Sequence, residues 1–177
     1  MTVNRRAINT FVEDLRQKAQ LNETLSMEDL INLVRRLGGE VKFDYMPLDI
    51  DGKIERKNEN FVITLNENIL NDERKKFTLA HELGHLFIHM GFLNPEQWKN
   101  EKEYVDSTFY RQGYSREEYE ANEFAAALLM PEQEFIKRAR EFSKNNRCDI
   151  NKLAKHFGVS NEAALTRGRW LGIFEWD

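Results

Sequence analysis

Three prolines and one cysteine are all that this 177-residue chain carries of those two residue types. With a single thiol, Cys148, no internal disulfide can form, and a lone cysteine beside Asn and Asp reads as an incidental thiol in a reducing compartment. No apolar run approaches the roughly 20 residues that span a bilayer. Met1 to Thr10 lacks the apolar stretch of a secretory signal, so a cytoplasmic protein without a membrane anchor is expected. Excess positive charge is missing too: 26 Lys and Arg stand against 30 Asp and Glu, a net charge of −4. Proteins that live on phosphate contacts are usually basic, so direct nucleic-acid binding is disfavoured. Repeats and low-complexity blocks are absent as well.

What is present suits one globular domain over residues 1–177: 41% apolar and 32% charged residues, with twelve Phe spread along the chain as core material. The periodicity gives an α+β arrangement that is mainly helical. Ile8, Phe11, Val12, Leu15 and Ala19 recur at helical spacing from about Val3 to Ala19. Ser26, with Asp29 at the capping-box offset, opens a second helix that Gly38-Gly39 stops, so residues 1–38 form an N-terminal helical pair. Val41, Phe43 and Tyr45 then alternate with polar residues, Asp51-Gly52 marks a turn in a second extended stretch, and Phe61 to Leu65 is β-branched. These make a small three-stranded antiparallel sheet over residues 40–66. Asn71 or Asp72 caps a long helix to about Met90, closed by Gly91. A looser polar stretch runs from Phe92 to Ser115. Helices follow from Arg116 to Leu129 and from Pro131 to Phe142, so residues 71–142 hold the helices that carry chemistry. Residues 149–177 form a last helical segment capped at Asp149 and Ser160.

His81 and His85 stand four residues apart on the long helix, which puts both imidazoles on one face, within reach of a single tetrahedral ion. Glu82 projects about 100° round from His81, off the metal but close to where a water would be activated, as a general base must be. This pattern points to zinc and to peptide hydrolysis, with one ion expected. Gly84 costs about 1 kcal/mol inside a helix, which argues for close packing there. A third ligand must come from elsewhere. Glu120 lies beside Phe124, Ala127 and Leu128 on the apolar seam of the next suitable helix, where a carboxylate is costly unless paired or bound to metal. It is therefore the expected ligand, Glu117 and Glu123 remain substitutes, and Glu118 reads as solvated. His89 lies too far along the helix to share the ion with His81, and is expected to pack or to sit behind the ligands. His156 reads as a surface or packing residue.

Two stretches, Phe77-Thr78-Leu79-Ala80-His81-Glu82-Leu83-Gly84-His85-Leu86 and Glu120-Ala121-Asn122-Glu123-Phe124-Ala125-Ala126-Ala127-Leu128-Leu129-Met130-Pro131, resemble the ImmA/IrrE family of bacterial and phage-borne metallopeptidases. A weaker similarity continues through Leu153 to Ser160, Ala163-Ala164, Arg167 and Leu171-Gly172, and departs at Gly168, where the family often has a larger residue. The resemblance implies a zincin-like fold and a gluzincin-like site, with His81, His85 and Glu120 on zinc and Glu82 as base. It implies a protein substrate, a helix-turn-helix repressor of a mobile element or stress response. It also implies that Phe61 to Leu65 offers its edge to an extended peptide.

The last segment has the outline of a helix-turn-helix, helix, Gly158-Val159-Ser160, helix, with Arg167 and Arg169 placed for phosphates. Trp170, Leu171, Ile173, Phe174 and Trp176 follow at once and read as a tail packed on the core. The expected protein is thus a zinc endopeptidase acting on a repressor. The alternative is a metal-stabilised regulator that binds a repressor or DNA without cutting. Tyr104, Tyr110, Tyr114 and His89 are candidates for a donor to the oxyanion.

Overall fold

Most of the helices begin at a side chain that caps them. In the computed structural model, which describes residues 4–100, 103–107 and 115–176, Asn4 caps α1 (Arg5–Lys18) by accepting from the amide of Ala7. Ser26 and Asp29 form a reciprocal capping box on α2 (Met27–Arg36), as their spacing foretold. Asn71 caps α3 (Asp72–Gly84) through the amide of Arg74. Ser115 does the same for α5 (Arg116–Leu129) through Glu118. Between α3 and α5 lie α4 (Pro95–Asn100) and a strand over 103–107, regular structure in a stretch whose polarity suggested a loop. Tyr110 and Tyr114 lie outside the described residues, as does Val3.

The sheet has four strands rather than three, and it is mixed. Its strands are β1 (Glu40–Asp44), β2 (Ile50–Lys57), β3 (Asn60–Asn66) and β4 (Glu103–Ser107), in the order β1-β3-β2-β4. β2 and β3 form a hairpin whose turn is Asn58-Glu59, with Asn58 at φ 59° and Lys57 opposite Asn60. Asp51-Gly52 is no turn; both residues lie within β2. The hairpin leaves the other edge of β3 open, and β1 fills it in parallel, Glu40 opposite Val62 and Asp44 opposite Asn66. The β1–β2 connection therefore straddles the end of β3. Asn66 holds it there, donating to the carbonyls of Met46, Pro47 and Ile50 and accepting from the amide of Met46. Because β3 is paired on both sides, it has no edge to offer a peptide, and the expected strand addition at Phe61 to Leu65 does not fit this sheet.

α3 packs against β2 and β3 on one side and α5 on the other, and α1 lies beyond α5. Leu79, Leu83, Ile63, Leu65, Phe124 and Leu128 are wholly buried in the common core. Phe87 stacks on Phe124 with centroids 5.8 Å apart, so the phenylalanines serve the core as their spread along the chain suggested. After α5 come α6 (Glu132–Glu141), a two-residue hairpin of β5 (Ser143–Lys144) and β6 (Arg147–Cys148), α7 (Ile150–Phe157) and α8 (Asn161–Trp170). Gly158 ends α7 in the left-handed region, at φ 60°. Gly168 has a packing reason for being small: a Cβ there would come within 2.1 Å of the Phe174 ring. The tail fills the place a larger residue would take. Among the described residues, no helix is long and apolar enough to cross a membrane.

Candidate metal centre

Gly84 decides how closely the two central helices approach. A Cβ at Gly84 would stand 2.9 Å from Cα of Ala121 and 3.2 Å from Cβ of Phe124, so only glycine lets α3 and α5 touch backbone to backbone. One turn before Ala121, this contact carries Glu118 to the histidines of α3. Glu118 is buried, with 7% of its surface exposed, and is not the solvated residue its sequence position suggested. Its Oε2 lies 3.2 Å from Nε2 of His81, and its Oε1 lies 3.3 Å from Nε2 of His85. The two Nε2 atoms are themselves 2.9 Å apart.

Those separations suit an ion. A tetrahedral ion about 2.0–2.1 Å from each donor needs donors about 3.3–3.4 Å apart, close to what His81, His85 and Glu118 present. Among the described residues these three are the group that could hold a metal, one ligand atom from each within 4.8 Å of the others. The electrostatics agree. Burial drives the His85 imidazole down to about 3, so it is neutral near pH 7 and keeps a lone pair for a metal. Burial alone would raise the Glu118 carboxyl, but the imidazoles of His81 and His85 beside it overcome that and hold it below the ordinary carboxylate range. Two imidazoles and one carboxylate form a donor set that fits a divalent cation.

Glu120, the expected third ligand, turns elsewhere. Its Oε1 accepts from Nε of Arg116 at 2.6 Å, and its Oε2 lies 3.2 Å from Nε2 of His89. Its burial would raise its pKa, and Arg116 first, then His89, lower it. Glu123 is committed to Arg167, Arg5 and Asn9, and Glu117 is exposed. The sequence argument favoured Glu120 because Phe124 and Leu128 mark its side as apolar. The side of Glu118 is marked by Ala121 and Ala125, which carry little hydrophobic signal yet are fully buried because they are small enough for helices to touch. A glycine on one helix matched by alanines on the next was the available clue.

Glu82 is also wholly buried. The backbone beside it is that of β2, where a Cβ at Gly52 would meet Oε1 of Glu82 at 3.1 Å and Cγ2 of Thr78 at 2.8 Å. Gly52 is therefore in a strand for reasons of close approach, not for a turn. Its neighbour Asp51 anchors the same junction through a two-pronged pair with Arg74, at 2.9 Å to each oxygen. Asn122, one turn after Glu118, places its Oδ1 3.0 Å from Nδ1 of His81. That leaves Nε2 of His81 facing the centre.

Past Gly84 the helix widens into a π turn (His85–His89), in which the amide of Met90 reaches back to the carbonyl of His85 at 2.9 Å, and Gly91 then ends it at φ 68°. His89 does not face the centre; its Nδ1 is 2.9 Å from Nδ1 of His85. With Nε2 against Glu120, both its nitrogens are engaged, which removes it as a donor to an oxyanion. Tyr104 sits on β4, described by its backbone. His156 is half-buried between Phe142 and Phe157 and serves packing. Cys148 is a free thiol whose pKa burial raises.

The helix-turn-helix outline in α7 and α8 does not place Arg167 for a phosphate, and Nε of Arg169 donates to the carbonyl of Glu175 at 3.1 Å. Arg167 is 2% exposed, with Nη1 on Glu123 at 2.9 Å and Nε on the carbonyl of Met130. It cannot reach a phosphate, and the exposed first turn of α8 carries Glu162 instead.

Fold and site together define a class: an α+β domain of helices around a small mixed sheet, with a buried two-histidine, one-carboxylate group where two helices meet. Within that class the chain belongs to the Peptidase_M78 family, the IrrE N-terminal-like domain, whose match covers residues 41–168. Comparison with curated proteins gave no match. Among solved structures, a Mycobacterium tuberculosis transcriptional regulator is similar in fold, with a TM-score of 0.65 at 19% identity over 93% of this chain. The match covers 46% of that regulator, so this chain spans about half its length.

Proposed function

We propose that this chain is a zinc-dependent endopeptidase that hydrolyses a peptide bond in a protein, with a helix-turn-helix transcriptional repressor as the substrate class. The observation that carries the reading is the convergence of Nε2 of His81, Nε2 of His85 and the carboxylate of Glu118 within 4.8 Å. Membership of a peptidase family supports hydrolysis, and the regulator among its structural relatives supports a role in gene control. Two imidazoles with one carboxylate suit zinc over the harder, oxygen-seeking cations.

In this reading His81, His85 and Glu118 would hold the ion. When bound, zinc supplies Lewis acidity, making water nucleophilic near neutral pH and polarising a carbonyl. Glu82 takes the proton from the attacking water and returns it to the departing amine. Gly52 leaves room for that carboxylate beside β2, and Asn122 keeps His81 in the tautomer that offers Nε2. The protein acts in the cytoplasm, where such a repressor resides.

Glu82→Gln separates this reading from one in which the protein binds a repressor without cutting it. Zinc-loaded protein is incubated with a candidate repressor, and intact masses are recorded. Wild type yields two fragments, whereas Glu82→Gln retains zinc and loses at least about 100-fold in cleavage rate. Release of the repressor from its operator by both proteins, with no fragment from either, overturns hydrolysis in favour of binding.

A further inference from the structure

We infer that His89 and Glu120 form a positioning couple that fixes the proton of His85, and so its readiness as a ligand. This rests on the reading of His81, His85 and Glu118 as a metal centre.

The argument follows protons along a chain of contacts. Nε2 of His85 faces Nε2 of His81 at 2.9 Å and Glu118 at 3.3 Å, so it is the nitrogen that would meet an ion. A neutral imidazole that gives a lone pair from Nε2 carries its proton on Nδ1. Nδ1 of His85 lies 2.9 Å from Nδ1 of His89, which must then accept. A neutral His89 that accepts at Nδ1 carries its own proton on Nε2, and that N–H points at Oε2 of Glu120, 3.2 Å away. The other oxygen of Glu120 takes Nε of Arg116 at 2.6 Å, which keeps the carboxylate ionised and in place. Each of these contacts outward from Nδ1 of His85 has one donor and one acceptor.

The reverse arrangement fails. If His85 carried its proton on Nε2, Nδ1 would accept, His89 would donate from Nδ1, and a bare Nε2 of His89 would face a carboxylate oxygen. Two acceptors would then oppose each other in a buried place, which is unfavourable. Glu120 thus selects the tautomer the metal needs, acting across two rings. The four-residue spacing makes this reach available, because it brings His89 against His85, with ring centroids 4.9 Å apart. His81 achieves the same end in one step, through the amide oxygen of Asn122. Outer partners of this kind orient metal-binding imidazoles and raise their basicity.

The test measures metal affinity and ligand geometry, not turnover. Zinc dissociation constants of the whole chain are taken by chelator competition, and the visible spectrum of the cobalt-substituted protein reports coordination. His89→Phe keeps a ring in the packing but has no acceptor, and it weakens zinc about 10- to 100-fold. Glu120→Gln weakens zinc in the same direction by a smaller factor. His89→Gln, whose side-chain oxygen can accept from Nδ1 of His85, recovers part of the loss and the wild-type cobalt spectrum. The couple is refuted if His89→Phe and Glu120→Gln bind zinc as wild type does and share its spectrum, while the ligand set still stands. It is also refuted if both His89 variants lose affinity equally and Glu120→Gln loses none, which reduces His89 to packing. If wild type binds neither zinc nor cobalt, the centre itself is rejected and the couple with it.

Discussion

Of the three carboxylates that α5 buries, Glu118, Glu120 and Glu123, the first and the last lie in opposite circumstances. Near its start, Glu118 faces two imidazoles, one of which, His85, is held neutral by burial. Less than two turns later, Glu123 meets Arg167, whose guanidinium is buried beside it and already supplies a full positive charge. Burial lowers the pKa of Arg167 and Glu123 pulls it back, so the pair shares the cost of leaving water. One carboxylate has its cation built into the chain. The other stands with two imidazoles in a group that could hold a metal ion. The difference teaches that burial of an acid does not by itself mark function; what sets Glu118 apart is that its close partners among the described residues are imidazoles and not a guanidinium.

The sharpest way to break this comparison is the same substitution at both places. Glu123→Gln leaves Arg167 buried and uncompensated, and should cost about 3–5 kcal/mol in urea unfolding whether or not zinc is present. Glu118→Gln should leave the metal-free protein within about 1 kcal/mol of wild type, because no fixed charge loses its partner. It should weaken zinc by more than the roughly 10- to 100-fold expected for an outer partner. Equal destabilisation by the two variants in metal-free protein would erase the distinction.

A smaller effect is expected at the helix contact that serves both carboxylates. Gly84→Ala drives a methyl into the backbone of Ala121, and overpacking of this kind costs about 1–3 kcal/mol. Since the clash lies one turn from Glu118, zinc affinity should fall along with thermal stability. Loss of stability with unchanged zinc affinity would mean that the helix spacing does not set the ligand geometry.

The mildest probe is pH. The folded-state pKa of His85 is depressed from 6.5 to about 3. The unfolded chain therefore binds a proton that the folded protein refuses between these values, and stability falls as pH drops through that window. Melting of metal-free wild type from pH 7 to pH 4 should show the fall, and His85→Phe should flatten it. A metal-free protein whose melting temperature is level across that range would place His85 in a wetter site than its burial implies.

Much of the fold was legible along the chain because it is local. Caps at Asn71, Ser115, Asp149 and Ser160, the stop at Gly91, and the helical spacing of apolar residues all act within a turn or two. His81, Glu82 and His85 share one helix, so their relation followed from 3.6 residues per turn. The sheet was less legible. The alternation in Val41 to Tyr45 identifies a strand, but nothing in it tells parallel from antiparallel pairing; the hairpin of β2 and β3 had to take one edge of β3 before β1 could take the other. β4 escaped notice because residues 103–107 lie in a polar stretch and gain their regularity from β2.

The amino-acid order by itself determined the helix that carries two imidazoles and an acid, its glycine, and the composition of a core that needs no cross-link. Only tertiary structure decided which distant carboxylate would face that pair, that Glu120 would instead brace His89, and that Arg167 would be spent on Glu123. The reason is physical. A helix fixes the angles between its own side chains, but which side of a second helix turns inward depends on how closely two backbones can approach, and that was settled where Gly84 meets Ala121.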